Sequence, residues 1–190
     1  MYKLGVISAL IGAALFGNGI YIGGKALLAQ HLLERSWTKT ISSGEVHLPW
    51  DWMDAYPVAR IKFEGQANSH IVLNTDSGQA LAFGPAVISG TENTNMLAIA
   101  AHKNTQFQNL KELKSGEVIT LEPAKGDKII FRVTHSEILD SREQELPIGD
   151  ASETPSNLAL VTCYPFDAIS FNGPLRYVVY AERMNLRKTT

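Results

Sequence analysis

The sequence predicts an all-β domain closed into a barrel, carrying short helices and preceded by a hydrophobic amino-terminal helix. Three observations predict it. Short runs of strand character follow one another from Pro57 to the end of the chain, several with strict alternation of apolar and polar residues. Helical spacing interrupts them only at 106–115, where Phe107, Leu110, Lys111 and Leu113 precede the stop signal Ser115-Gly116. An uncharged stretch at 4–24 stands before all of this. Many short strands with Gly and Asn turns make a barrel or a sandwich, and a closed barrel leaves the fewest open edges.

In chain order, residues 4–24 are Leu, Ile, Val, Ala, Phe and Gly, broken only by Ser8, Asn18 and Tyr21. About 20 helical residues cover roughly 30 Å, the thickness of a bilayer's hydrocarbon core. A cleaved signal peptide would place a small residue where Leu27 stands, and a buried core helix would show a polar face and fewer glycines. The stretch therefore reads as an uncleaved single-pass anchor, with Gly19 and Gly23 at a spacing that allows two such helices to pack. Lys3 before it and Lys25 and Arg35 after it leave the orientation unset by charge.

Residues 25–36 continue as an amphipathic juxtamembrane helix, with Ala26, Leu27, Leu28, Leu32 and Leu33 opposed by Gln30, Glu34 and Arg35. Residues 42–56 break the pattern with Gly44 and Pro49 around Trp50 and Trp52, whose expected role is core packing. The chain divides into an anchor at 1–24, a helix and linker at 25–56 and the barrel at 57–190. The strand runs are 58–63, 70–73, 79–83, 86–88, 96–102, 117–121, 128–139, 158–163 and 175–181. Within 128–139, Ile129, Phe131 and Val133 form the inward face.

The whole chain, 190 residues with a net charge of -2 and 45% hydrophobic content, suits one globular domain and a short appendage. Basic residues are scattered, so no nucleic-acid partner is implied. The loop at 141–155 is long and polar, and Glu143 and Glu145 there read as solvated carboxylates. No paired Cys/His spacing and no phosphate-cradling glycine loop occurs, so neither a metal nor a cofactor is expected.

Cys163 is the single cysteine, which excludes an internal disulfide. It stands where the apolar run of Leu158, Leu160 and Val161 meets Pro165, a residue that cannot continue the ladder. Two readings fit: a small buried hydrophobe, or a nucleophile at a strand end, which requires a histidine and an oxyanion stabiliser elsewhere. Of the five histidines, His31 and His47 precede the barrel, while His70 and His135 lie within strand runs. His102 ends an apolar run and opens a polar loop, the same local setting as Cys163. Arg176, on an apolar strand, supplies a fixed cation.

Leu160-Val-Thr-Cys163, Tyr-Pro-Phe-Asp167 and Gly173-Pro-Leu-Arg176-Tyr-Val-Val together resemble the signature of the sortases, membrane-anchored cysteine transpeptidases. The string Thr-Cys-Tyr-Pro-Phe is most similar to the sortases of Gram-negative, often marine, bacteria. Leu81-Ala-Phe-Gly-Pro85 and 98–107 extend the resemblance over about 52–181. Where that family reads Gly-His-Arg-Asp and then Thr-His-Phe, this chain has Ala101-His102-Lys103-Asn104-Thr105-Gln106-Phe107.

The resemblance implies an eight-stranded barrel on the extracytoplasmic, periplasmic side of the inner membrane. The implied substrate is a partner protein with a carboxyl-terminal sorting signal of Leu-Pro-x-Thr-Gly type, and the implied acceptor is an amine of the cell envelope, or water. By position, Cys163 would attack the Thr-Gly carbonyl, His102 would protonate the leaving amine, Arg176 would stabilise the oxyanion, and Thr162 would line the cleft. A cysteine endopeptidase and a non-enzymatic, membrane-tethered binding barrel are the competing classes.

Overall fold

The computed structural model describes residues 2–66, 68–168 and 173–184, with the backbone alone at 2–11, 13–20 and 22. Helix α1 (Tyr2–Ser43) is followed by strands β1 (Pro57–Phe63) and β2 (Ser69–Leu73), helix α2 (Gly78–Phe83), and strands β3 (Ala86–Val87) and β4 (Met96–Ala100). A 3-10 turn at Leu110–Glu112 leads into β5 (Val118–Pro123), β6 (Ile129–Asp140), β7 (Asn157–Cys163) and β8 (Leu175–Arg183).

The strands close into a barrel in the order β1-β2-β3-β4-β7-β8-β6-β5, with β5 paired back to β1. Neighbours are antiparallel except β2 with β3 and β4 with β7. A parallel pair needs a long crossover. Between β4 and β7 the chain makes β5 and β6, and this brings two distant strand ends side by side.

Alternation builds the interior. Ile61, Phe63, Ile99, Phe107, Ile119, Phe131, Val133, Leu158, Leu160 and Val179 are buried together inside the barrel. A second apolar group, Met96, Ala98, Leu139, Ala159, Val161, Val178 and Tyr180, covers the outer face of β4, β7 and β8, with Ile88 and Leu146 packed on it.

Two expectations are corrected. Residues 79–83 form α2 rather than a strand: Ser77 Oγ accepts from Ala80 N at 3.0 Å and caps the first turn. A run this short and apolar has no decisive period, and the cap settles it. Of the helix expected at 106–115, the described structure has turns and the 3-10 piece alone.

Helix α1 does not end at Ser36. Ala29, Leu33, Ser36, Trp37 and Thr40 form one buried stripe at helical spacing. Arg60 on β1 holds Glu34 at 2.5 Å and stands 5.7 Å over the Trp37 ring. Trp50 packs edge-on to Phe83 at 4.9 Å, as core packing requires, but Trp52 is 69% exposed. Among the described residues no helix is long and apolar enough to cross a membrane. The span expected at 4–24 falls mostly on side chains outside those described.

Candidate active site

Strand geometry brings three of the chemistry-bearing residues to one place. On β7, Leu158, Leu160 and Thr162 point inward, so Ala159, Val161 and Cys163 point outward. Cys163 is the register partner of Arg176 on β8, as Val161 is of Val178 and Ala159 of Tyr180. Tyr164 N donates to Leu175 O at 3.0 Å, which makes Cys163 and Arg176 the adjacent, non-hydrogen-bonded pair. Facing side chains of such a pair stand about 4.5–5.5 Å apart at Cβ.

On the other side of β7 runs β4, with Ala98 level with Ala159 and Ala100 with Val161. Ala101 N still donates to Val161 O at 3.1 Å, so the register continues past the last ladder residue. His102, the next residue, follows directly on this register, which carries it toward the level of Cys163 on the neighbouring strand. His102, Cys163 and Arg176 thus form a row at the ends of three adjacent strands, at the tip of the outer apolar face. His102 is exposed, while Cys163 and Arg176 are partly buried.

The guanidinium of Arg176 is steadied by its own chain, with Nη1 donating to Gly173 O at 2.6 Å and to Leu175 O at 2.9 Å. Pro165, joined to Tyr164 by a cis peptide bond, turns the chain away just past the sulfur.

Thr162 does not line the cleft. It is 2% exposed, faces away from Cys163, and donates from Oγ1 to Ala101 O at 2.7 Å. Alternation places neighbours in a strand on opposite faces, so a residue next to an outward cysteine turns inward. Its hydroxyl instead ties the end of β7 to the residue before His102.

Lys103 belongs to a polar string whose composition suggests only a solvated loop, yet it is 4% exposed. Its Nζ donates to Pro165 O and Ala168 O, each at 2.6 Å. Lysine is almost never fully buried without partners, and no spacing rule marks the exception. A cation directly after His102 therefore holds the loop that follows Cys163.

The other histidines stand apart from the row. His135 stacks on Tyr180 at 4.8 Å, well down the barrel from Cys163, and His70, on β2, is separated from β7 by β3 and β4. Burial pushes the His70 ring below its ordinary pKa. Burial, then the hydrogen bond to Glu137, pushes the Tyr180 phenol up, which keeps it neutral.

Among the described residues no group of three or more His, Cys, Asp or Glu stands together as metal ligands. A cavity of about 640 Å³ opens at the other end of the barrel, near Leu97, Ile129 and Arg183. Here strand ends, rather than cavity size, mark the chemistry.

Comparison with known proteins agrees with this geometry. A Sortase domain model matches residues 61–184. No curated protein sequence matches the chain. Among solved structures, the pilus-related sortase C of Group B Streptococcus is similar at a TM-score of 0.56 and 19% identity, covering 68% of each chain. Sortase A from Corynebacterium diphtheriae gives 0.59 and 18%, over 73% of this chain and 66% of that one. A sortase D5 transpeptidase of Clostridium perfringens gives 0.58 and 17%, over 80% and 89%. At these identities the structures establish the barrel, and the domain match, which takes in the whole row of His102, Cys163 and Arg176, carries the family: the chain belongs to the sortase family of transpeptidases.

Proposed function

We propose that the chain is a membrane-anchored cysteine transpeptidase that cleaves a Leu-Pro-x-Thr-Gly-like signal near the carboxyl end of a partner protein. The observation that carries this reading is the row of His102, Cys163 and Arg176 at the ends of β4, β7 and β8. The Cys163 thiolate adds to the Thr-Gly carbonyl carbon, and the charge that develops on oxygen meets the Arg176 guanidinium. The C–N bond breaks as His102 gives its proton to the leaving amine, which leaves a thioester on Cys163. An acceptor amine then attacks the thioester carbonyl and loses its proton to His102. A new amide forms, and the thiolate is released.

The outward line of β7 opens to solvent only toward Cys163, since Ala159 and Val161 are buried in a cluster on which Ile88 and Leu146 pack, so the peptide is proposed to meet the site at the row itself.

For the anchor at 4–24 the support is its uncharged composition together with the side chains at its carboxyl end. Tyr21 is 64% exposed, Lys25 Nζ stands 5.2 Å over its ring, and Trp52 is exposed nearby. Aromatic and lysine side chains of this kind collect at membrane–water boundaries. The proposed site of action is the periplasmic side of the inner membrane, a reading supported by the resemblance of Thr-Cys-Tyr-Pro-Phe to the sortases of Gram-negative bacteria. Residues 57–190 are proposed as the catalytic domain.

The deciding experiment incubates the full chain, in detergent, with a library of Leu-Pro-x-Thr-Gly-like peptides and a supplied amine, with products read by mass spectrometry. Amide product joined to the supplied amine is the expected result. Free acid alone, at every amine concentration, would make the enzyme an endopeptidase. No cleavage and no Cys163 adduct with any peptide would leave a binding barrel.

A further inference from the structure

Among the described residues, the segment after His102 sends two lysines to the loop after Cys163. Lys111 Nζ stands 5.7 Å over the Phe166 ring, an exposed contact that adds little. The other is buried. Lys103 Nζ reaches Pro165 O and Ala168 O, which lie on either side of the turn at Phe166 and Asp167, and Ala168 N also donates to Pro165 O at 3.4 Å. On its own side, Lys103 is covalently next to His102, whose carbonyl accepts from Phe107 N at 3.1 Å and so fixes the start of that loop.

We infer that Lys103 is a positioning residue for acyl transfer: its buried ammonium, bonded to the Pro165 and Ala168 carbonyls, fixes the separation of His102 from Cys163. The inference rests on the roles proposed above for those two residues. The connection is short. From His102 to Cys163 through Lys103 the path is one peptide bond, one side chain, one hydrogen bond and the short turn at Pro165. An ammonium taken out of water is held firmly by its acceptors, because water cannot replace them. The thiolate must be ionised and the imidazole able to give a proton at the same distance in each turnover, and a misplacement of about 1 Å can cost 10²-fold in rate. The carbonyls that Lys103 holds lie beyond Cys163 in the chain, so its effect falls on turnover and not on binding.

The test compares the full-length wild type with Lys103→Met, Lys103→Gln and Lys103→Arg. It measures kcat and KM on a cleaved peptide, thermal unfolding, and the pH dependence of Cys163 alkylation. Lys103→Met is expected to lose about 10²-fold in kcat with KM within twofold of wild type. Its alkylation profile should converge on that of His102→Ala. Lys103→Arg, which keeps a cation and several donors, should stay within about tenfold of wild type.

A purely structural lysine predicts otherwise: lower unfolding temperature, unchanged kcat per folded molecule and an unchanged alkylation profile, and that result overturns the inference. If Lys103→Met and Lys103→Gln both fail to fold while Lys103→Arg folds, Lys103 is a folding residue and the inference also falls. Cys163→Ala on the same peptide separates the two levels. Should it remain active, the proposed catalytic roles fail; should it be dead while Lys103→Met turns over normally, only the role of Lys103 fails.

Discussion

Along β7 the inward side chains, Leu158, Leu160 and Thr162, are closed off from solvent throughout. The outward ones become more accessible toward the end of the strand, from Ala159 at 0% through Val161 at 8% to the partly buried Cys163. Both sets belong to the same backbone and differ only in parity. Changes on the inward face should therefore appear as lost stability, and a change at the accessible outward end, Cys163, as lost turnover. A slip of one residue would exchange the two sets, so the register that closes the barrel also aims the sulfur.

The largest effect sharpens that contrast. Cys163→Ala should abolish peptide cleavage and the covalent adduct while its unfolding temperature stays close to wild type, because a partly exposed sulfur contributes little packing. A large fall in unfolding temperature would place Cys163 with the inward residues. Next come its two neighbours in the row. His102→Ala should lower kcat/KM by about 10²–10⁴-fold, the usual contribution of general acid–base catalysis. Arg176→Ala should fall by about 10²–10³-fold or more, and Arg176→Lys should not recover it if the planar fork is what meets the oxyanion. An Arg176→Lys enzyme of near wild-type rate would reduce the role of Arg176 to charge alone.

The inward face answers with the opposite signature. Leu160→Ala, at a position with no exposure, should cost about 2–5 kcal/mol in stability, measured by denaturant unfolding. Activity per folded molecule should hold. If turnover collapses at unchanged stability, the division between the two faces is wrong.

The same division explains what the sequence makes legible. Alternation carries β1 and the first half of β6, since a residue such as Phe131 in Ile129-Ile-Phe-Arg-Val can be buried only on one side of a pleated strand, while β7 and β8 are legible as short apolar runs. It fails at α2, where apolar and small residues in a row fit a strand and a helix equally, and Ser77 is the signal that distinguishes them. It also underruns α1, because the stripe from Ala29 to Thr40 includes Ser36 and Thr40, buried polar residues whose hydroxyls bond the backbone of His47 in the linker. Cys163, His102 and Arg176 are legible because each ends or opens an apolar run. Lys103 is not: nothing local announces that a lysine in a polar loop will find two carbonyls contributed by a segment some sixty residues later.

Thr162 is the smallest expected effect and the finest test of the comparison, since it adjoins the nucleophile in sequence yet belongs to the other face. Thr162→Val keeps the shape and removes the donor to Ala101 O. A buried carbonyl deprived of its partner typically costs about 1–3 kcal/mol, so the variant should unfold earlier than wild type. Thr162→Ser, which keeps the hydroxyl, should recover most of that loss. Because Ala101 precedes His102, a small fall in kcat is expected alongside, with KM unchanged, as the two strand ends loosen. A residue lining the cleft would behave in reverse: KM would rise several-fold in Thr162→Val at unchanged stability. Peptide kinetics and unfolding measured on Thr162→Val and Thr162→Ser together therefore decide on which face of β7 this side chain acts.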